Sequence, residues 1–174
     1  MFNTPNNQKG LNMKTSIQRL KTISAVSLIS LGTLFSLSFS AVANANECEL
    51  VISANDAMQF DTKELSVPAS CKEVTLTLTH AGQLPKAAMG HNWVLTKAAD
   101  MSAVANEGMG AGAALNFVKE GDARAIAHTD VVGGGSSTSI TFSTEGMSPT
   151  EAYKFFCSFP GHWAIMQGNF IITA

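Results

Sequence analysis

Four side chains of types that bind metal ions stand out. Cys157, His162 and Met166 lie within ten residues of one another in FFCSFPGHWAIM (Phe155 to Met166), and His91 follows Gly90 far upstream in AAMGHNWVL. Cysteine binds metal as thiolate, and a nearby metal lowers the pKa at which the thiolate forms. Imidazole adds a neutral nitrogen donor, and a thioether adds a soft, weak one. Between Cys157 and His162 the chain reads Ser158-Phe159-Pro160-Gly161, and a Pro-Gly pair suits a tight turn that folds the histidine back toward the sulfur. The short cluster can form a loop site that a distant residue, His91, completes.

Two histidines and one cysteine, with a methionine or backbone oxygen on the axis, are the ligand set of blue-copper electron-transfer centres. Thiolate softness favours Cu(I), imidazole accepts Cu(II), and a geometry constrained between the two limits rearrangement on electron transfer. The chemistry would be one-electron shuttling with no bond made to a substrate. The same donors also suit Zn(II) with one open position. A zinc hydrolase needs a general base near its bound water, however, and no acidic residue lies between Leu78 and Lys97 or between Ala152 and Ala174. Copper delivery or storage is a further alternative, although carriers of that sort tend to expose clustered donors, and no His-rich or Met-rich tract occurs. A metal-free adhesion or ligand-binding sandwich is a fourth, which would keep its function without Cys157. Neither a Ser-His-Asp arrangement nor a C-x-x-C-H haem motif is evident, so the chain is not read as an enzyme.

Taken singly, these residues have ordinary explanations: a thiol in an aromatic strand is usually an inert buried group, and methionine is common core filler. Spacing is what promotes them. His80 and His128 stand alone and are not assigned to the metal, and Trp93 reads as core between the sheets.

The elements that must hold these donors fit one domain. The chain has 174 residues, 45% hydrophobic and 14% charged. Residues 1–45 read as a cleaved secretory signal peptide: Lys9, Lys14, Arg19 and Lys21 precede the uncharged run TISAVSLISLGTLFSLSFSAVANAN, which closes on Ala43-Asn44-Ala45. Met13 offers an alternative start that gives a leader of more usual length. An uncleaved anchor is the competing reading, but the interspersed serines and the A-x-A ending favour cleavage. With four of the 11 basic residues in the leader, the domain at 46–174 keeps seven against 13 acidic, a net charge of −6. That disfavours nucleic acid as a partner. Export permits disulfides. Cys48 and Cys71 both fall in the first quarter of the domain, and joining them would contribute about 3 kcal/mol through the chain-entropy term. Cys157 is then left over.

The domain alternates β-rich runs with turn chemistry: ECELVISA, KELSV, KEVTLTLTH, HNWVLT, STSITFST, YKFFCSF and GNFIITA. About seven short strands at this spacing indicate an all-β antiparallel sandwich or barrel. KEVTLTLTH is the clearest, with Val74, Leu76 and Leu78 on one face and Thr75, Thr77 and Thr79 on the other. AADMSAVANEGMGAG predicts one short helix outside the sheets, ended by glycines, and VVGGGSST predicts a flexible turn.

The interval Cys-x4-His-x3-Met, with MGHNW upstream, resembles the azurins among the cupredoxins, and the likeness extends over residues 46–174 through NECEL, DAMQF, LPKAAMGHNWVLTKAADM and AIAHT. The resemblance implies a Greek-key β-sandwich holding one copper ion (Cu2+/Cu+). His91, Cys157 and His162 would be strong ligands, and Met166 and the Gly90 carbonyl weak axial ones. It gives Asn92 the role of linking the two ligand-bearing loops and places Phe159 beside the site. It also pairs Cys48 with Cys71. Leu84, Met89, Met109, Phe159 and Pro160 would form an apolar patch around the His162 edge, the electron port. Trp163 departs from the family, standing where a small polar residue is usual, and would enlarge the patch or cover the histidine. Ala87 and Ala88 make the loop before Met89 smaller than usual. By the same resemblance the protein is a periplasmic monomer serving c-type cytochromes, copper nitrite reductase or amine dehydrogenase, with no membrane contact after cleavage. His80 lies where a histidine near the site can titrate.

Overall fold

The computed structural model describes residues 45–174, so the expected leader (all but its last residue) and the start at Met13 lie outside the described residues. After a 3-10 turn at Ala45–Cys48, the chain forms β1 (Glu49–Asn55), β2 (Gln59–Phe60), β3 (Glu64–Pro68), β4 (Glu73–His80), α1 (Lys86–Met89), β5 (Val94–Lys97), α2 (Met101–Ala111), β6 (Ala127–His128), β7 (Ser137–Ser143), β8 (Tyr153–Phe156) and β9 (Gln167–Thr173). One sheet has the order β2-β1-β4-β7, and the other β3-β9-β8-β5-β6. All seven expected strands are present. The two-residue strands β2 and β6 are too short to leave a periodic pattern.

The alternation in β4 sorts its side chains as expected. Val74, Leu76 and Leu78 are fully buried, while outward Thr75 and Thr77 meet Thr141 and Ser139 of β7 through hydroxyl bonds of 2.9 and 2.8 Å. The sheets are mixed rather than purely antiparallel. β1 runs parallel to β4, with Ile52 opposite Leu78, and β3 runs parallel to β9, with Val67 opposite Ile172. Parallel neighbours need a crossover rather than a hairpin. Here β3 supplies it, leaving the first sheet for the second before the chain returns as β4.

Trp93 fills the space between the sheets with none of its surface exposed. It packs on Phe155 and Phe170 of one sheet and Phe142 of the other at centroid distances of 5.7 to 6.2 Å. Phe155 and Phe156, adjacent on β8, point to opposite faces: Phe155 into this core, Phe156 into a second cluster with Val94, Val104, Ala105 and Val118 that seats α2 outside the sheet. The helix ends before Gly112, whose φ of 75° is one a glycine adopts freely. α1, a single turn after Pro85, was not foreseen in the loop containing Ala87 and Ala88.

Within the expected flexible turn, Gly133 and Gly134 form a packed seam, while Gly135 faces open space with φ of 74°. A Cβ on Gly133 would meet the Lys86 nitrogen at 2.5 Å, and one on Gly134 would meet Gln83 backbone at 2.5 Å. These glycines serve close approach to the segment that precedes the site. Cys48 and Cys71 are joined, with Cα atoms 5.7 Å apart. No helix among the described residues is long and apolar enough to cross a membrane.

Candidate metal centre

Two strand ends and one turn converge at one end of the sandwich. His91 enters just before β5 and is fixed by reciprocal backbone bonds with Val132, its N–H to the Val132 carbonyl at 3.0 Å and the reverse at 2.8 Å. Cys157 follows β8, and its N–H donates to the Met166 carbonyl at 3.0 Å, which closes at its base the loop that carries Cys157, His162 and Met166. Within that loop the His162 N–H donates to the Phe159 carbonyl at 3.0 Å across Pro160-Gly161, and Gly161 has φ of 85°. The tight turn the sequence suggested is here a type II turn, with proline at its second position and glycine at its third. The Met166 N–H then donates to the His162 carbonyl at 2.8 Å.

The Cys157 sulfur lies 3.8 Å from His91 Nδ1, 3.6 Å from His162 Nδ1 and 4.0 Å from the Gly90 carbonyl oxygen. The three donor atoms of His91, Cys157 and His162 lie within 4.8 Å of one another. His91, Cys157 and Met166 are fully buried, and His162 is 4% exposed. Burial pushes the Cys157 thiol up to about 12, against the pull of the Asn92 and Phe159 N–H groups beside it. Burial also holds His91 down at about 4, helped by the neighbouring His80, and lowers His162. The cluster is therefore a buried neutral thiol facing two neutral imidazoles. That donor set fits a soft-to-borderline metal ion, whose charge would release the thiol proton.

The supports around the donors are as specific as the donors. His91 Nε2–H donates to the Asn55 carbonyl at 2.9 Å, which leaves Nδ1 free to face the sulfur. Asn92 joins the two loops: the Ser158 N–H donates to its Oδ1 at 2.8 Å, and its Nδ2 donates to Ser158 Oγ at 2.8 Å and to the Asn116 carbonyl at 2.9 Å. Gly90 is squeezed, since a Cβ there would meet the Lys86 carbonyl and Val131 Cγ1 at 2.6 Å. Phe159 lies against the His162 ring, with centroids 4.8 Å apart.

Of the expected patch, Leu84 and Met109 are each 42% exposed and Pro160 is exposed, while Met89 and Phe159 are half-buried. Trp163 leans instead against the α2 cluster of Val94, Val104, Ala105, Val118 and Phe156. On that turn it is Ile165 that is open, at 53%. His80 is buried, its ring 4.6 Å from that of His91 and its Nε2 3.1 Å from Asp56 Oδ1. An acidic residue thus does approach the site, from a turn remote in sequence. Its carboxylate is engaged by the Gln83 and Leu84 N–H groups as well as by His80, which holds its pKa low. Asn55, Val132, Ser158 and Asn116 were not foreseen. Only Ser158, a polar residue directly after the candidate donor Cys157, left a signal in the sequence.

A two-sheet β-sandwich that buries a His-Cys-His cluster at one end defines a cupredoxin, and His91, Cys157 and His162 form a candidate type 1 copper site. A profile of the copper-binding proteins of the plastocyanin/azurin family matches residues 46–173. The azurin of Achromobacter denitrificans is 57% identical over 125 residues, 72% of this chain and 84% of that one. Azurin-2 of Alcaligenes xylosoxydans xylosoxydans is 56% identical over 123 residues, 71% and 95% of the two chains. The solved structure of the azurin Az-iso2 from the methylotroph Methylomonas sp. strain J superposes with a TM-score of 0.71 at 48% identity, covering 73% of this chain and 98% of that one. The chain belongs to the plastocyanin/azurin family of copper-binding proteins, and it is a blue copper protein of the electron-transfer kind.

Proposed function

We propose that the protein is an exported, periplasmic electron carrier that takes and gives single electrons at one type 1 copper ion, with His91, Cys157 and His162 as strong ligands and Met166 and the Gly90 carbonyl as weak ones. The observation that carries this reading is the enclosure of the donors: sulfur and two imidazole nitrogens lie within 4.8 Å of one another, and no ligand side chain is more than 4% exposed. An electron can tunnel into such a centre, whereas a substrate cannot reach it. When bound, copper supplies a one-electron Cu(II)/Cu(I) couple.

The chain's own residues do the rest. Asn55 fixes which His91 nitrogen faces the sulfur, and Asn92 and Ser158 tie the loops so that the donors keep one arrangement in both oxidation states. His162, under Phe159, is the ligand that reaches the surface, where Leu84, Met89, Met109, Phe159 and Pro160 form the port. The packing of Trp163 on α2 supports a port shaped without its ring. A small apolar face suits brief, weak encounters with redox proteins such as c-type cytochromes, copper nitrite reductase or amine dehydrogenase, met by a monomer.

The test is optical. The copper-loaded protein should be intensely blue, bleach with ascorbate and recover with oxidant; a colourless copper-loaded protein would overturn the proposal.

A further inference from the structure

Asn116 and Phe117, on the stretch between α2 and β6, both have φ of 55°. Asparagine tolerates the left-handed region, but a bulky aromatic residue rarely adopts it, so the surroundings must impose this backbone. What they impose it for is visible in the contacts. The Asn116 carbonyl accepts two bonds at once, from Asn92 Nδ2 at 2.9 Å and from Ser158 Oγ at 3.0 Å. Those residues directly follow the ligands His91 and Cys157. The Asn116 side chain fastens the same turn to a third segment, donating from Nδ2 to Asp130 Oδ1 at 2.8 Å and accepting the Val131 N–H at 2.9 Å. Val132, next along, is the residue laddered to His91.

Phe117 completes the set on the outer side. Its ring meets Phe159 edge-on at 5.2 Å, and Phe159 lies 4.8 Å from the His162 ring. Behind it, α2 comes so near that a Cβ on Gly108 would meet the Phe117 carbonyl oxygen at 2.2 Å. This two-residue turn therefore touches the neighbours of all three strong donors while contributing no donor itself.

We propose that Asn116 and Phe117 are positioning residues that hold the donor cage in its binding shape before metal arrives, the Asn116 carbonyl acting as a common anchor for both ligand-bearing loops. The proposal rests on the copper reading of the site, but its first test needs no metal. Asn116→Gly keeps the carbonyl and adopts φ of 55° freely, so it removes the side-chain tethers without adding strain. In the metal-free variant, hydrogen exchange at the Ser158 and His91 amides should quicken about tenfold while the β4 amides stay at wild-type rates. Copper affinity should then fall about tenfold and the reduction potential should shift. Phe117→Leu should shift the potential as well, through Phe159 and His162. Wild-type exchange at Ser158 in Asn116→Gly overturns the proposal, as does a uniform quickening that includes β4. A wild-type protein that binds no copper would overturn the copper reading and leave the exchange test standing.

Discussion

The Nε2–H of His91 donates to the Asn55 carbonyl at 2.9 Å, so the last residue of β1 sets which nitrogen of a residue 36 positions later faces the Cys157 sulfur at 3.8 Å. A neutral imidazole with its distal nitrogen already committed is ready to bind through the other. His91→Ala should lower copper affinity at least as much as the loss of an outer support, which costs about 10- to 100-fold, and abolish the intense blue band. Copper titration followed by visible absorption reads both.

The metal-free protein should have a bounded plateau of stability in pH. His91 titrates at about 4 when folded against an ordinary 6.5, so the stability it contributes is present above 6.5 and lost as pH falls toward 4. Cys157 is pushed up to about 12 from 9.0, so its contribution is present below 9.0 and lost as pH rises toward 12. Urea unfolding across the range should be steepest in those two windows, and Cys157→Ser should erase the alkaline one.

Asn92→Ala should destabilise the fold by about 1 to 3 kcal/mol, because it strands the Ser158 N–H in a place with 1% exposure while the Ser158 hydroxyl keeps the Asn116 carbonyl. Chemical denaturation of the metal-free variant gives the number, and a changed reduction potential after loading shows that the loop link reaches the metal.

Gly90→Ala should cost about 1 to 3 kcal/mol through crowding alone, since its φ of −69° suits any residue while its Cβ would collide with the Lys86 carbonyl and Val131. Thermal unfolding should register the loss.

Trp163→Ser should lower stability by about 1 to 2 kcal/mol, the worth of a partly buried ring against α2, and leave the charge-transfer spectrum unchanged. A spectrum that shifts with it would mean that the ring bears on the donors directly.

Much of this was legible from the chain because it is written in local patterns. The alternation of Val74, Leu76 and Leu78 fixes the inner face of β4, and Pro160-Gly161 foretells a tight turn. The odd cysteine and its interval to His162 and Met166 point to a donor cluster. What could not be read depends on residues far apart in sequence. The parallel partners of β1 and β3 follow from a crossover, and the Asn55 carbonyl and the Asn116 carbonyl that meet the site carry no mark of residue type. Gly133 and Gly134 resemble a flexible turn until the backbone lying against them is known. Trp163 sits beside the proposed ligand His162 in sequence, yet it faces α2, because residues of a turn fan out to different sides.

The parallel pairing of β3 with β9 also has a consequence in time. β3 lies early in the domain, and its partner is the last strand, so Leu65 waits for Phe170 and Val67 for Ile172. Three of the proposed ligands, Cys157, His162 and Met166, arrive within that same final stretch. Neither the second sheet nor the donor cluster can therefore close until β8, β9 and the turn between them are in place, which makes completion of the fold and readiness for metal a single event.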